Sequence, residues 1–160
     1  MTTYTPRVLR NCAAAFTNPL AMIYQKSICD SQVPELWKRS NVTLIFKQGN
    51  KQKRANYRPV SLTSVSCKII EGIIHKKIIN HCLRTNLIFK EQHGFLHSKE
   101  CTSNLLETRD IPTETMHQGY ATDTIFTDFS KAFDKVPHVR LLHQLKAHGI
   151  NGLVLDWIEN

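Results

Sequence analysis

Residues 124–138 read TIFTDFSKAFDKVPH, and they carry the strongest structural signal in the sequence. The β-branched and aromatic residues at 124–129 predict a β-strand. Val136-Pro137 predicts the start of a helix, and Gly149 would end that helix because glycine readily adopts a left-handed conformation. Asp128 therefore lies at the end of a predicted strand, where its carboxylate can face a cleft at the edge of a sheet.

The first part of the chain predicts helices followed by one strand. Residues 7–28 carry apolar side chains at helical spacing, and we expect a second helix to start at Pro19, a position that proline tolerates. The VTLIF run at 42–46 predicts a strand, and the turn residues at 48–50 end it. A looser segment is expected from there to Pro59.

One long helix is predicted in the middle of the sequence. Apolar residues at 64–83 share one broad helical face, and Ser64 is the expected N-cap. A weaker helix follows, anchored by Leu105 and Leu106 and interrupted by Pro112, because proline removes a backbone donor. Helices and strands mix without a regular βαβ repeat, which indicates the α+β class.

Positive charge is concentrated in one segment. The chain has a formal charge of +8, and residues 38–84 contain eleven Lys/Arg and the single acid Glu71, a local charge of +10. Such a segment suits a phosphate-binding surface, although a solvated basic face would look the same. No stretch is long and apolar enough for a bilayer, and the first ten residues lack the apolar core of a signal peptide. We expect a soluble intracellular protein, nuclear or cytoplasmic.

The cysteines and histidines give little indication of a metal site. Five cysteines are widely spaced without a CxxC pair, so we expect reduced and buried thiols: Cys12, Cys29, Cys67, Cys82 and Cys101. His93, His97 and Cys101 lie at intervals of four, but Gly94 predicts a loop at His93 and no fourth ligand is evident. A zinc site is therefore not expected.

Asp128 is the one candidate for catalytic chemistry. Polymerases need carboxylates that hold two divalent metals, which activate an attacking hydroxyl and stabilise the leaving pyrophosphate. A lone aspartate after a strand is more often a turn or capping residue, so the position alone does not distinguish these roles. The nearby Asp134 is expected to cap the following helix.

Six segments together resemble, in order, the motifs of non-LTR (LINE-type) retrotransposon reverse transcriptases, closest to jockey-like elements. They are residues 6–9 (PRVL), 33–38 (VPELWK), 44–49 (LIFKQG), 56–65 (NYRPVSLTSV), 92–95 (QHGF) and 126–138 (FTDFSKAFDKVPH). The segments at 56–65 and 92–95 resemble fingers motifs, and the last resembles the first palm motif. The resemblance covers nearly the whole chain.

The resemblance implies a role for each matched residue. Asp128 would be a metal ligand, and Phe133 would be the steric gate that rejects a ribose 2′-hydroxyl, although it could also serve as a core aromatic. Arg58 would contact the incoming triphosphate, and Lys47 is a second candidate for that task or a solvated lysine beside a turn. Three residues are expected along the template path: Gln92, Gly94 and Phe95.

The implied architecture is the fingers and part of the palm of a right-hand polymerase. We expect a helical N-terminal extension at 1–41, fingers at 42–120 and the truncated start of a palm at 121–160. The family's aromatic-x-Asp-Asp element and thumb have no counterpart, and the chain contains no Asp-Asp pair. Lys99-Glu100 also replaces the Arg-Ser pair usual in the family. We therefore expect this chain to be inactive by itself.

Three hypotheses follow. In the first, the chain belongs to an RNA-directed DNA polymerase of a mobile element, which extends a DNA primer on an RNA template with deoxynucleoside triphosphates and Mg²⁺ by two-metal nucleotidyl transfer. In the second, it is a non-catalytic basic RNA- or DNA-binding module from a decayed retroelement. In the third, it is an unstable translated fragment whose unpaired sheet edge promotes aggregation.

Overall fold

The computed structural model describes residues 6–97, 99–130 and 132–160, in which helices predominate and two strands pair. The elements are α1 (Pro6–Asn11), α2 (Ala13–Cys29), α3 (Glu35–Lys38), β1 (Asn41–Phe46), β2 (Tyr57–Leu62), α4 (Val65–Arg84), α5 (Cys101–His117), α6 (His138–Ala147) and α7 (Leu153–Glu159). The predicted mixture of helix and strand is confirmed. No helix in these ranges combines the length and apolar character needed to cross a bilayer.

The chain divides into two units. The first comprises Met1–His81 and Val139–Asn160, and the second comprises Cys82–His138. These limits differ from the three regions expected from the resemblance, which stay a prediction.

The N-terminal helices break at a different residue from the one expected. The break lies at Cys12, between α1 and α2, whereas Pro19 lies inside α2 and does not start a helix. Proline at this position leaves the carbonyl of Ala15 without its usual donor. Burial of Tyr24 and Ser27 further along α2 favours the continuous helix despite that loss.

Helix α4 forms the centre of the first unit. Ser64 Oγ accepts the Cys67 N–H at 3.2 Å, which confirms the predicted N-cap. Ile70 is fully buried, and Ile74 lies beside it in the same cluster. Tyr24 from α2 donates its hydroxyl to the Ser66 carbonyl at 2.9 Å. Burial raises the pKa of this phenol.

The thiols are free, as predicted, but only Cys67 is buried. Its Sγ–H donates to the Glu71 carboxylate at 3.3 Å. Burial, assisted by that contact, raises the pKa of the Cys67 thiol to about 11. The expectation of buried thiols is wrong for Cys12, Cys29 and Cys101, which are exposed because their helix faces have no cover among the described residues.

A buried hydrogen-bond chain fixes α7 to α2 within the first unit. The Trp157 indole N–H donates to Ser27 Oγ at 2.9 Å, and the Ser27 hydroxyl donates to the Gln32 carbonyl at 2.6 Å. Asn160 Oδ1 accepts the Val33 N–H at 3.0 Å. Ser27 and Trp157 are both almost fully buried, so neither polar group has water as an alternative partner.

The strands β1 and β2 form an antiparallel ribbon, and the expectation of a loose segment through Pro59 is wrong for residues 57–59, which belong to β2. Lys47 N–H donates to the Asn56 carbonyl at 2.8 Å. Because bonded and non-bonded pairs alternate, Leu44 and Pro59 form a non-bonded pair. The missing N–H of Pro59 therefore faces the outer edge, and no bond within the ribbon is lost. Gly49, with φ +87°, confirms the predicted turn.

The second predicted strand does not form. Residues 120–129 have no strand pairing, and all of them are exposed. A strand is stable only when a neighbour satisfies its backbone groups, and the described sheet contains β1 and β2 alone. High β-propensity at 124–129 is therefore insufficient.

Helix α5 runs through Pro112, so the predicted interruption is wrong. Pro112 leaves the Thr108 carbonyl without its usual donor, but Thr108 is exposed and water can satisfy it. Leu105 and Leu106, which were expected to anchor this helix, are also exposed, so neither side chain is buried against other described residues.

The helix predicted to lie between Val136-Pro137 and Gly149 is confirmed. Helix α6 begins directly after Pro137 and ends before Gly149, whose φ is +85°. The Ile150 N–H bonds to the Leu145 carbonyl, and the Gly149 N–H bonds to the Lys146 carbonyl, each at 3.0 Å. This pair of bonds is the helix-ending arrangement that glycine favours.

Replacing Ser27 with alanine should destabilise the first unit. The Trp157 indole N–H would stay buried without an acceptor, which is expected to lower the free energy of unfolding by about 1–3 kcal/mol. Chemical denaturation monitored by tryptophan fluorescence measures this. Ser40→Ala removes an exposed hydroxyl and should change the value by less than about 0.5 kcal/mol. Equal effects of the two substitutions would contradict the role given to Ser27.

Candidate active site

The loop that resembles the second fingers motif is held by a buried histidine in the second unit. His93 is only 6% exposed. Its Nε2 lies 3.0 Å from the Glu107 carboxylate and its Nδ1 lies 2.9 Å from Ser103 Oγ, both on α5. A carboxylate only accepts, so Nε2–H donates to Glu107. His93 thus fixes this loop to α5.

Ser103 also secures the start of α5. Its Oγ accepts the Glu100 N–H at 3.3 Å, and Glu100 is the residue that precedes the helix. Glu100 belongs to the Lys99-Glu100 pair at which the sequence departs from the family. It therefore forms the N-terminal boundary of α5. The described residues contain no group of three His, Cys, Asp or Glu side chains placed to hold a metal.

Within the loop, one residue adopts an unusual backbone conformation. Gly94 does not use the left-handed region, whereas Phe95 does, with φ +63°. A non-glycine residue rarely adopts this conformation. Gln92 Nε2 donates to the Gly94 carbonyl at 3.3 Å, which supports the turn locally. The template-path roles of Gln92, Gly94 and Phe95 stay predictions.

Phe95 meets Phe133, the predicted steric gate. Their ring centroids lie 6.0 Å apart in an edge-to-face arrangement. The two side chains are 79% and 78% exposed, respectively. The alternative of a core aromatic at Phe133 is therefore wrong, because little of its surface is covered. The structure instead brings together one residue from each of two motifs.

Asp128 is exposed in the unpaired segment before Phe133. A two-metal site needs several oxygen ligands, and the described residues offer no group of three carboxylates, imidazoles or thiols placed to share an ion. One carboxylate does not fit the expected Mg²⁺ pair by itself. Asp134 lies in a turn ahead of α6, and Pro137 directly precedes that helix, so the expected capping role for Asp134 is wrong.

Lys47 and Arg58 lie on one face of the ribbon in the first unit. Ile45 pairs with Arg58, and Lys47 lies two residues beyond Ile45, so strand alternation places it on the same face. The ribbon and its turn, residues 41–62, contain five Lys/Arg and no acid. This cationic surface suits phosphate oxygens. Contact with a triphosphate stays a prediction.

Comparison with known proteins agrees with the motif order. The family described as reverse transcriptase (RNA-dependent DNA polymerase) matches residues 45–160. The chain belongs to the reverse transcriptase family. This membership implies the right-hand polymerase fold, and the described helices and strand pair are consistent with part of it.

Similar proteins include reverse transcriptases of mobile elements. The chain is 29% identical to the RNA-directed DNA polymerase from mobile element jockey of Drosophila melanogaster, over 89% of this chain and 15% of that protein. It is 24% identical to the probable RNA-directed DNA polymerase from transposon BS of the same fly, over 79% and 14%. It is 26% identical to the probable RNA-directed DNA polymerase from transposon X-element of that fly, over 79% of this chain and 14% of that protein. The resemblance to jockey-like elements is confirmed.

Sequence reasoning missed the residues that support the motifs of this reverse transcriptase chain. His93, Ser103 and Glu107 form the contact between loop and helix, and none was assigned this role. Ser103 and Glu107 are four residues apart on a predicted helix, so they lie on the same face. This spacing was the sequence feature that could have indicated a shared contact. The buried state of His93 could not be read from its polar neighbours.

Replacing His93 with alanine should loosen the loop at 92–95. Loss of both ring contacts removes its fixation to α5, and amide hydrogen exchange there should accelerate roughly tenfold, equivalent to ~1.4 kcal/mol. Hydrogen–deuterium exchange with mass spectrometry measures this. The exposed His97 provides the matched control, since His97→Ala removes no such contact. If both variants exchange alike, His93 does not hold the loop.

Proposed function

We propose that this chain forms the fingers and the first part of the palm of an intracellular RNA-directed DNA polymerase from a non-LTR mobile element. The family match over residues 45–160, which includes the Asp128 segment, is the observation that carries this proposal. The chain spans 14–15% of the length of the three fly relatives. The activity is therefore proposed for a larger polymerase that contains these residues.

The proposed reaction extends a DNA primer on an RNA template with deoxynucleoside triphosphates. Asp128 is proposed as one carboxylate ligand for Mg²⁺, which would stabilise charge on the transferred phosphates. Its exposure keeps the carboxylate accessible to ligands. A magnesium pair needs several oxygen ligands, and we propose that other parts of the larger polymerase supply the ligands besides Asp128.

Phe133 is proposed to select the sugar. Its ring is exposed, so a flat apolar surface is available to exclude a 2′-hydroxyl. Phe95 contacts that ring edge-on, which limits the directions in which Phe133 can turn. Gln92, Gly94 and Phe95, on the loop fixed by His93, are proposed to support the template.

Arg58 and Lys47 are proposed to bind the triphosphate. Arg58 lies on a paired strand, and the backbone bonds of the ribbon hold its position. The guanidinium fork can donate two hydrogen bonds to phosphate oxygens. No acid occurs between residues 41 and 62, so no neighbour in the ribbon sequence competes for these cations.

Primer extension tests the catalytic role of Asp128. The 160 residues joined in frame to the downstream palm and thumb of a jockey-type reverse transcriptase should extend a DNA primer on RNA, whereas the 160 residues alone should not. Asp128→Asn should lower the rate by about a hundredfold or more, because a metal ligand is lost. Asp123→Asn removes the same charge from the same exposed segment and should leave the rate within about twofold. Equal rates for the two variants would refute the assignment.

A second candidate function is nucleic-acid binding without catalysis, favoured by the basic ribbon. The 160 residues alone should then bind single-stranded RNA with an affinity that falls steeply with salt. Arg58→Ala should weaken binding and reduce the salt slope by about 1. Lys146→Ala in α6 also removes an exposed cation but lies off the ribbon. Fluorescence anisotropy separates these cases, and equal losses in both variants would exclude the ribbon as the binding surface.

A further inference from the structure

Phe95 is held in a backbone conformation that a bulky residue rarely adopts. Its φ is +63°, in the left-handed region, although its neighbour Gly94 could adopt that conformation at no steric cost. Strain of this kind persists only where the surrounding structure enforces it, and it is concentrated at functional sites. The conformation of Phe95 therefore indicates a role for its side chain.

The left-handed turn brings the Phe95 ring against Phe133. The ring centroids are 6.0 Å apart and the ring planes are at 76° to each other, which is an edge-to-face arrangement that aromatic pairs prefer. Both residues belong to the second unit, so the contact is made within one compact part of the chain. A residue of the loop at 92–95 thus touches the residue proposed to select the sugar.

The loop side of this contact is fixed in place. His93, two residues before Phe95, is almost fully buried. Its two ring nitrogens are hydrogen-bonded to Ser103 and Glu107 of α5. Because these contacts hold the loop on a helix, Phe95 provides a fixed surface against which the ring of Phe133 rests.

The ring of Phe133 needs such a restraint. The Phe133 carbonyl accepts the Val136 N–H at 3.4 Å, but a backbone bond does not restrict rotation about the side-chain torsions. A phenylalanine side chain can change rotamer unless its neighbours prevent it. An aromatic ring rejects a ribose 2′-hydroxyl only while it occupies the space that the hydroxyl would need. The strictness of sugar selection therefore depends on what restrains the ring.

We propose that Phe95 is a specificity-determining residue of this polymerase, which makes the choice of deoxynucleotides over ribonucleotides stricter by restraining the ring of Phe133. The role of Phe95 rests on the proposed function of Phe133 as the steric gate. Phe95 acts through Phe133 and is therefore a positioning residue. Removal of its ring should favour ribonucleotides specifically, because a deoxynucleotide has no 2′-hydroxyl for the gate to oppose.

Selection is measured as the ratio of kcat/KM for a deoxynucleotide to kcat/KM for the matching ribonucleotide. The enzyme is the fusion of the 160 residues to the downstream palm and thumb. Phe95→Leu keeps an apolar side chain but removes the ring, and it should lower the ratio about fivefold, the scale of an edge-to-face contact. Phe95→Tyr keeps the ring and should retain the wild-type ratio. Phe89→Leu is the matched control, because it removes a different ring that is 80% exposed, and it should leave the ratio unchanged.

A double-mutant cycle separates action through Phe133 from any other role of Phe95. Phe133→Val should lower the ratio more than Phe95→Leu does, and the two substitutions together should lower it no further than Phe133→Val alone. A further fall in the double variant would show that Phe95 acts independently of the gate. If Phe95→Leu lowers both kcat/KM values equally and leaves their ratio unchanged, Phe95 supports the template alone, and its role in selection is refuted.

The ring contact is also tested without reference to activity. Replacing Phe133 with para-fluorophenylalanine in the same fusion gives one fluorine resonance, whose position depends on the aromatic ring beside it. Phe95→Leu should shift this resonance, and Phe89→Leu should not. A resonance that Phe95→Leu leaves unmoved would show that the two rings do not touch in solution and would overturn the role given to Phe95.

Failure of this role is distinguishable from failure of the proposed function. If Phe133→Val lowers the ratio and Phe95→Leu does not, Phe133 remains the gate and only the role of Phe95 is refuted. If Phe133→Val leaves the ratio unchanged, the gate itself is refuted, and the role of Phe95 fails with it.

Discussion

A strand must pair its backbone N–H and C=O groups, and this constraint governs the part of the chain that carries the motifs. The β1–β2 ribbon satisfies it internally, so Arg58 has a defined position on a paired strand. Residues 122–129 have no partner strand among the described residues, so Asp128 lies on exposed backbone. The same constraint explains why Pro59 is tolerated where it faces outward. Pairing thus determines which motif residues are rigidly placed.

How well the sequence predicted each element depends on how far apart along the chain its interacting residues are. The strand at 42–46, the helix capped by Ser64 and the helix ended by Gly149 depend on neighbours a few residues away, and all were predicted correctly. Strand β2 was missed because its proline suggests a loop until the pairing register is known. The strand at 124–129 was wrongly expected because propensity cannot supply a partner. The burial of His93 depends on a helix that begins several residues later.

In the candidate site, likewise, residue types could be read from the sequence, whereas contacts that depend on backbone conformation could not. Motif order identified the family from residue types, since backbone conformation is not needed for that comparison. The edge-to-face contact of Phe95 with Phe133 was not predicted, because it depends on a left-handed residue at Phe95 and not at Gly94. Likewise, no sequence pattern distinguished the buried thiol of Cys67 from the exposed Cys101.

The loop at 92–95 connects two proposed functions that the sequence motifs treat separately. His93 fixes the loop to α5 through Ser103 and Glu107, and the next residues turn so that Phe95 reaches Phe133. Strain at Phe95 persists only if its surroundings hold the loop in place, and the buried imidazole of His93 fixes that loop to α5. If Phe133 selects the sugar and the loop supports the template, a change in template position is transmitted to the gate through one aromatic contact. Sugar selection and template placement are therefore expected to be coupled, because one loop restrains both.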